Sequence, residues 1–127
     1  MRGAAAWLAL NTAHAAWPRI NGFPTADYYF PRFDFAYIDR DSSRFRAYAC
    51  RRGTEERWGG LPLIYSLPEL VAKAAAAGGA FLVAASRDGE PLINLPAGWT
   101  RRIVWRSLDS ELEILALAAP NKPAGRR

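Results

Sequence analysis

The sequence predicts a small α/β domain: a mixed sheet of about five strands with one βαβ crossover, a C-terminal β-hairpin and two packing helices. Three observations carry this. A helix with a clear start signal stands between two short apolar runs, Leu61–Tyr65 and Ala80–Ser86. Two β-prone runs, Ile103–Leu108 and Leu112–Leu117, flank the turn pair Asp109-Ser110. Of the 127 residues, 50% are hydrophobic and 13% aromatic, enough to fill one core and too apolar for a disordered chain.

The elements follow in chain order. Met1-Arg2 precedes the apolar run Gly3–Leu10, and Ala13-His14-Ala15 has the small-x-small form of a signal-peptidase site. Asn11-Thr12 breaks that run early, so a helix from Gly3 to Trp17, stopped by Pro18, is favoured over a weak signal-like segment. Pro18–Pro24 contains Asn21-Gly22 and reads as a connecting turn, which closes an N-terminal segment at residue 26. The single α/β domain is expected over 27–119.

Tyr28–Ile38 is rich in aromatics. Around Pro31 it divides into two β-prone pieces, with Phe33, Phe35 and Tyr37 alternating against Asp34 and Ala36. Asp39–Ser43 is a polar turn, Phe45–Cys50 resumes the alternation, and Arg51–Gly60 is a charged loop. After the strand Leu61–Tyr65 comes Ser66-Leu67-Pro68-Glu69, a capping box. Ser66 caps, Pro68 sits where no N–H partner is needed, and Glu69 answers Ser66. Gly78-Gly79 ends that helix. Ala80–Ser86 completes the βαβ unit. Arg87–Thr100 is mostly loop, the hairpin follows, and 120–127 is a disordered basic tail.

Charge and composition narrow the function classes. Lys plus Arg against Asp plus Glu is 17 against 12, a net +5. Three of the positive charges (Lys122, Arg126, Arg127) lie in the tail, so the body is only mildly basic, at 14 − 12 = +2. One cysteine, Cys50, excludes an internal disulfide and a multi-cysteine metal site, and His14 is the single histidine. No apolar run reaches the ~18 residues needed to cross a bilayer.

Candidate chemistry is sparse. Cys50 as a nucleophile would need a base and an orienting partner, and a half-buried thiol is the better reading. Asp27, Asp34, Asp39 and Asp41 fall close together, and Asp39-Arg40-Asp41 has the D-x-D form used to hold a divalent cation. Arg40 and Arg44 beside it favour a salt-bridged turn instead. No Gly-rich phosphate loop occurs, and Gly59-Gly60 and Gly78-Gly79 are turn and cap glycines. Neither a catalytic set, a metal site nor a cofactor is therefore assigned. Arg40–Arg57 carries six arginines with Phe45 and Tyr48 interleaved, a pattern that suits either an anionic partner or a solvated strand face. Arg51, Arg52 and Arg57 are the candidate anion contacts; Trp58, Tyr28 and Tyr29 are candidate partner or sugar contacts.

Asp27-Tyr28-Tyr29-Phe30, then Trp58-Gly59-Gly60-Leu61-Pro62-Leu63-Ile64-Tyr65-Ser66-Leu67-Pro68-Glu69-Leu70, and finally the hairpin Ile103–Leu115 form a series that resembles a known family. It looks like the soluble C-terminal domain of bacterial membrane glycosyltransferases of the lipid-linked-sugar type, which includes the aminoarabinose and protein mannosyl transferases. The likeness covers roughly Trp17 to Leu117, with Phe81-Leu82-Val83 in place of a middle strand that carries a tryptophan in the family. In that family the catalytic acids lie in an early loop among many membrane-spanning helices, so no catalytic residue carries over. The resemblance implies an extracytoplasmic accessory domain, either a detached piece of a transferase or a stand-alone relative, with a membrane glycosyltransferase or another subunit as partner. Two other classes stay open. One is a small basic protein that binds nucleic acid or anionic surfaces. The other is a metal-dependent hydrolase or transferase that uses the Asp27–Asp41 cluster.

Overall fold

The computed structural model describes residues 2–12, 16–22, 33–37, 57–58, 61–85, 95–108 and 112–120. Within them lie two helices, α1 (Arg2–Asn11) and α2 (Leu67–Ala77). The strands are β1 (Arg19–Asn21), β2 (Phe35–Tyr37), β3 (Arg57–Trp58), β4 (Leu61–Ile64), β5 (Gly79–Ala85), β6 (Thr100–Arg106) and β7 (Leu112–Ala118). They form a mixed sheet in the order β3-β4-β2-β1-β5-β7-β6. The α/β class and mixed sheet are as expected, with more strands than the five anticipated.

The four inner strands β4, β2, β1 and β5 run parallel. β3 pairs antiparallel with β4 at one edge, and the β7–β6 hairpin pairs antiparallel with β5 at the other. The chain steps outward from β1 to β2 to β4, then returns through α2 to the far side of β1. This is the doubly wound order, with its switch point between β1 and β5.

A parallel sheet must be covered on both faces, because its crossovers lie there. Successive strand residues point to opposite faces, which assigns each helix to one. Ala4 and Leu8 of α1 pack with Ala36, Leu63, Val83 and Ile114. Leu70 and Ala74 of α2 pack with Ile20, Tyr37, Ile64, Leu82, Leu115 and Leu117. Neighbours in one strand, such as Leu82 and Val83, thus serve different cores, so the sheet is a middle layer between α1 and α2.

The capping box forms as expected, with one difference. Ser66 has extended backbone, and its Oγ accepts from the Glu69 N–H at 3.3 Å. The Glu69 carboxylate reaches past the cap and accepts from the Tyr65 N–H at 3.4 Å. At the other end Gly78 takes φ 91°, a conformation that favours glycine, and its N–H bonds back to the Ala75 carbonyl at 3.2 Å. Gly79 is required for a different reason. A Cβ there would lie 2.5 Å from the Trp17 ring and 2.6 Å from the Leu117 carbonyl oxygen.

Several expectations are corrected. The α1 helix ends at Asn11, not Trp17. The Asn11 amide donates to the Trp7 carbonyl at 2.9 Å and the Thr12 hydroxyl donates to the Leu8 carbonyl, so polar side chains satisfy the last turn. Pro18–Pro24, expected to be a turn, contains β1 at the middle of the parallel set. Ile20 pairs with Phe35 on one side and Leu82 on the other, and two neighbours override the local turn preference of Asn21-Gly22. Arg51–Gly60, expected to be loop, contains β3. Phe33 does not share a face with Phe35 and Tyr37. It joins the core under α1 with Ala36, which is buried because this strand is covered on both sides. The strands expected at Leu61–Tyr65, Ile103–Leu108 and Leu112–Leu117 appear with bounds shifted by one to three residues. The expected strand Phe45–Cys50, the turn Asp39–Ser43 and the tail beyond Pro120 lie outside the described residues.

Candidate functional site

Most residues proposed from sequence lie outside the described part. These are Tyr28, Tyr29, Arg51, Arg52, Cys50, His14, Asp27, Asp39 and Asp41. Arg57 and Trp58 are described through their backbone alone: they form β3 at the sheet edge, paired with Pro62 and Leu61.

Asp34 is described, and its carboxylate has a structural task. It accepts from the Arg19 backbone N–H at 2.8 Å and from Arg19 Nε at 3.2 Å, while the Asp34 N–H donates to the Arg19 carbonyl at 2.7 Å. This three-bond clamp registers the start of β2 against β1. Glu69 closes the α2 cap, and Glu113 accepts from Arg106 Nε at 3.2 Å and Nη2 at 2.8 Å. Every carboxylate side chain among the described residues is therefore engaged in holding an element in place. Among the described residues no three of His, Cys, Asp and Glu come together as a metal-binding group.

Open α/β sheets bind ligands at the carboxyl ends of their strands, beside the switch point. Here that place is marked by Asn21, fully buried at the end of β1, and by Gly22, whose N–H donates to the Val83 carbonyl at 2.9 Å. Beyond Gly22 after β1 and beyond Ala85 after β5 the chain lies outside the described residues, so the described geometry builds no site there.

The opposite is true of β6. It is the last strand in the sheet order, as long as its partner β7, and pairs with β7 alone among the described residues. Thr100, Arg101, Arg102, Ile103 and Arg106 are exposed, whereas Val104 and Trp105 are half-buried. The register explains this split. Residues directly opposite in an antiparallel pair share a face. Arg101 and Ile103 lie opposite Leu117 and Leu115, on the α2 side; Arg102 lies opposite Ala116, on the α1 side. Between Ile103 and Trp105 the register shifts by one residue, a β-bulge at Val104. The shift lets consecutive Val104 and Trp105 both join the core under α1. Below them Ser107 closes the hairpin: its N–H donates to the Leu112 carbonyl at 2.9 Å, and its Oγ accepts from the Leu112 N–H at 3.1 Å.

The result is a strand anchored by its second half and presenting its first half outward. The sequence points to arginines between Arg40 and Arg57, whereas Arg101-Arg102 carries no local signal, because only strand order reveals an edge. Exposed edges usually carry charge or a bulge that discourages indiscriminate pairing, and β6 carries both. No family model, no curated protein and no solved structure matches the chain.

Proposed function

We propose that this chain is a non-catalytic accessory module of a membrane glycosyltransferase system, acting outside the cytoplasm through partner or substrate contacts. The class of system comes from the resemblance of Asp27–Phe30, Trp58–Leu70 and Ile103–Leu115 to the extracytoplasmic domain of such transferases. The observation that carries the module reading is the β6 edge: an exposed strand on a sheet whose described carboxylates all serve structure. No helix among the described residues is long and apolar enough to cross a membrane.

The alternative of a nucleic-acid binder needs a continuous arginine stripe on one face. On β6 the arginines divide between faces, Arg101 and Arg106 on one and Arg102 on the other, and Glu113 neutralises Arg106. On β6 that arrangement favours a protein partner over a polyanion track; residues 40–56 and the tail beyond Pro120, on which the alternative rests, lie outside the described residues.

The test places a photo-crosslinking amino acid at position 102 and irradiates cells of the native host. A multi-span glycosyltransferase in the adduct from the membrane fraction supports the proposal. Adducts confined to nucleic acid or ribonucleoprotein in the soluble fraction, lost at high salt, would overturn it.

A further inference from the structure

We propose that the outer face of α1 docks onto an anionic lipid surface. The inference rests on the reading of this chain as a module that works at a membrane, and it is independent of the partner being a transferase.

From Gly3 to Leu10 the helix reads Gly-Ala-Ala-Ala-Trp-Leu-Ala-Leu, apolar on every side. A helix of that composition is normally enclosed all round. Here the fold encloses one face. Ala4 and Leu8 are fully buried against the sheet. Gly3, Ala6 and Leu10, spaced i, i+3 and i+7, make up the opposite face and are exposed, Leu10 to 82%. Two half-buried indoles border that stripe. Trp7 is one helical turn from both Gly3 and Leu10. The Trp105 ring lies against Gly3, where a Cβ would come within 2.9 Å of it. An indole joins an apolar ring to one N–H donor and favours the boundary between hydrocarbon and water.

Charge selects the lipid. The carboxylates among the described residues are those of Asp34, Glu69 and Glu113. Glu69 lies on α2, Glu113 faces Arg106 on the α2 side of the sheet, and Asp34 is held by Arg19. Arg102 is exposed on the α1 side. The described part of that side is therefore positive, and the chain as a whole carries +5, so anionic headgroups are attracted over zwitterionic ones.

Size argues against a second copy as the occupant. A ten-residue helix is about 15 Å long and about 10 Å wide, so one face offers roughly 150 Å². A stable protein interface takes ~800 Å² from each partner. A bilayer needs no complementary relief and accepts apolar side chains singly. The contact is weak and reversible, and it adds to the affinity for a partner held in the same membrane.

The experiment uses the full chain and sucrose-loaded vesicles of phosphatidylcholine, with or without phosphatidylglycerol. Binding is followed by co-sedimentation and by hydrogen exchange of the α1 amides. The parent should bind the phosphatidylglycerol vesicles at least tenfold more tightly and exchange more slowly along α1. Leu10→Glu and Ala6→Glu should each weaken binding at least tenfold, and Arg102→Gln severalfold. Ala72→Glu, the same change on the exposed face of α2, should leave it within twofold of the parent. Unfolding midpoints are checked for every variant. Equal binding to the two vesicles, equal losses from Leu10→Glu and Ala72→Glu, or no binding at all would overturn the proposal. So would a lipid-free dimer of the parent that Leu10→Glu abolishes. Vesicle binding without a transferase crosslink at position 102 would keep this inference and discard the transferase reading; a crosslink without vesicle binding would do the reverse.

Discussion

β7 and β6 are the two arms of one hairpin, equal in length, yet they differ in almost every physical respect. β7, Leu112–Ala118, has neighbours on both sides, β5 and β6, and five of its seven residues are buried. Among the described residues β6 has one neighbour, and five of its seven residues are exposed. Composition follows position: Leu-Glu-Ile-Leu-Ala-Leu-Ala against Thr-Arg-Arg-Ile-Val-Trp-Arg. A strand between two neighbours and two helices is apolar on both faces over most of its length, with half-buried Glu113 the exception in β7. A strand at the edge need bury only what lies over a helix. The lesson is that, among the described residues, Val104 and Trp105 are the β6 side chains that join a core, while Thr100, Arg102 and Ile103 stay exposed.

The largest expected effect contrasts the arms directly. Leu117→Ala removes a fully buried side chain from β7 and should cost ~2–5 kcal/mol, read from urea midpoints. Ile103→Ala in β6 should cost about 0.5 kcal/mol or less. Equal costs would mean that the β6 edge is covered, and would end the comparison.

Gly79→Ala comes next. The new methyl would press on the Leu117 carbonyl and the Trp17 ring, and overpacking of this kind costs about 1–3 kcal/mol. A midpoint equal to the parent's would show that β5 and β7 can separate locally. Ser66→Ala should cost ~1 kcal/mol by removing the α2 cap, while hydrogen exchange in the β6 first half stays as in the parent. Faster exchange there would tie the edge to α2, against the expectation that it depends on α1 through Trp105. The smallest effect belongs to Arg106 and Glu113. Their double-mutant cycle should give a coupling below about 1 kcal/mol, shrinking with salt, because Arg106 is half exposed. A larger value would mark that pair, and not Val104-Trp105, as the anchor of the hairpin.

Elements with local chemistry were legible in the sequence. The Ser66–Glu69 box, the Gly78 stop and the β6–β7 hairpin each satisfy backbone groups between residues near each other in the chain, so a short window suffices to find them. β1 was illegible. Arg19-Ile20-Asn21 has no strand signature of its own, and it is extended because β2 and β5 supply hydrogen bonds from both sides. Phe33 departs from the face of Phe35 and Tyr37 for a related reason: period-two alternation identifies a face only when the other face is wet. The candidate site followed the same divide. In sequence Asp34 groups with Asp27, Asp39 and Asp41, but in the fold Arg19, fifteen residues earlier, holds its carboxylate.

By itself, then, the sequence determined the fold class, the α2 helix with both its ends, the hairpin and the modest positive charge of the body. These depend on contacts between residues near each other along the chain. Only the tertiary structure decided the strand order, the division of the sheet into two cores, the structural task of Asp34 and the standing of β6 as an edge. These depend on which distant segments pair, and a strand records in its own residues how much of it is buried but not which neighbour buries it.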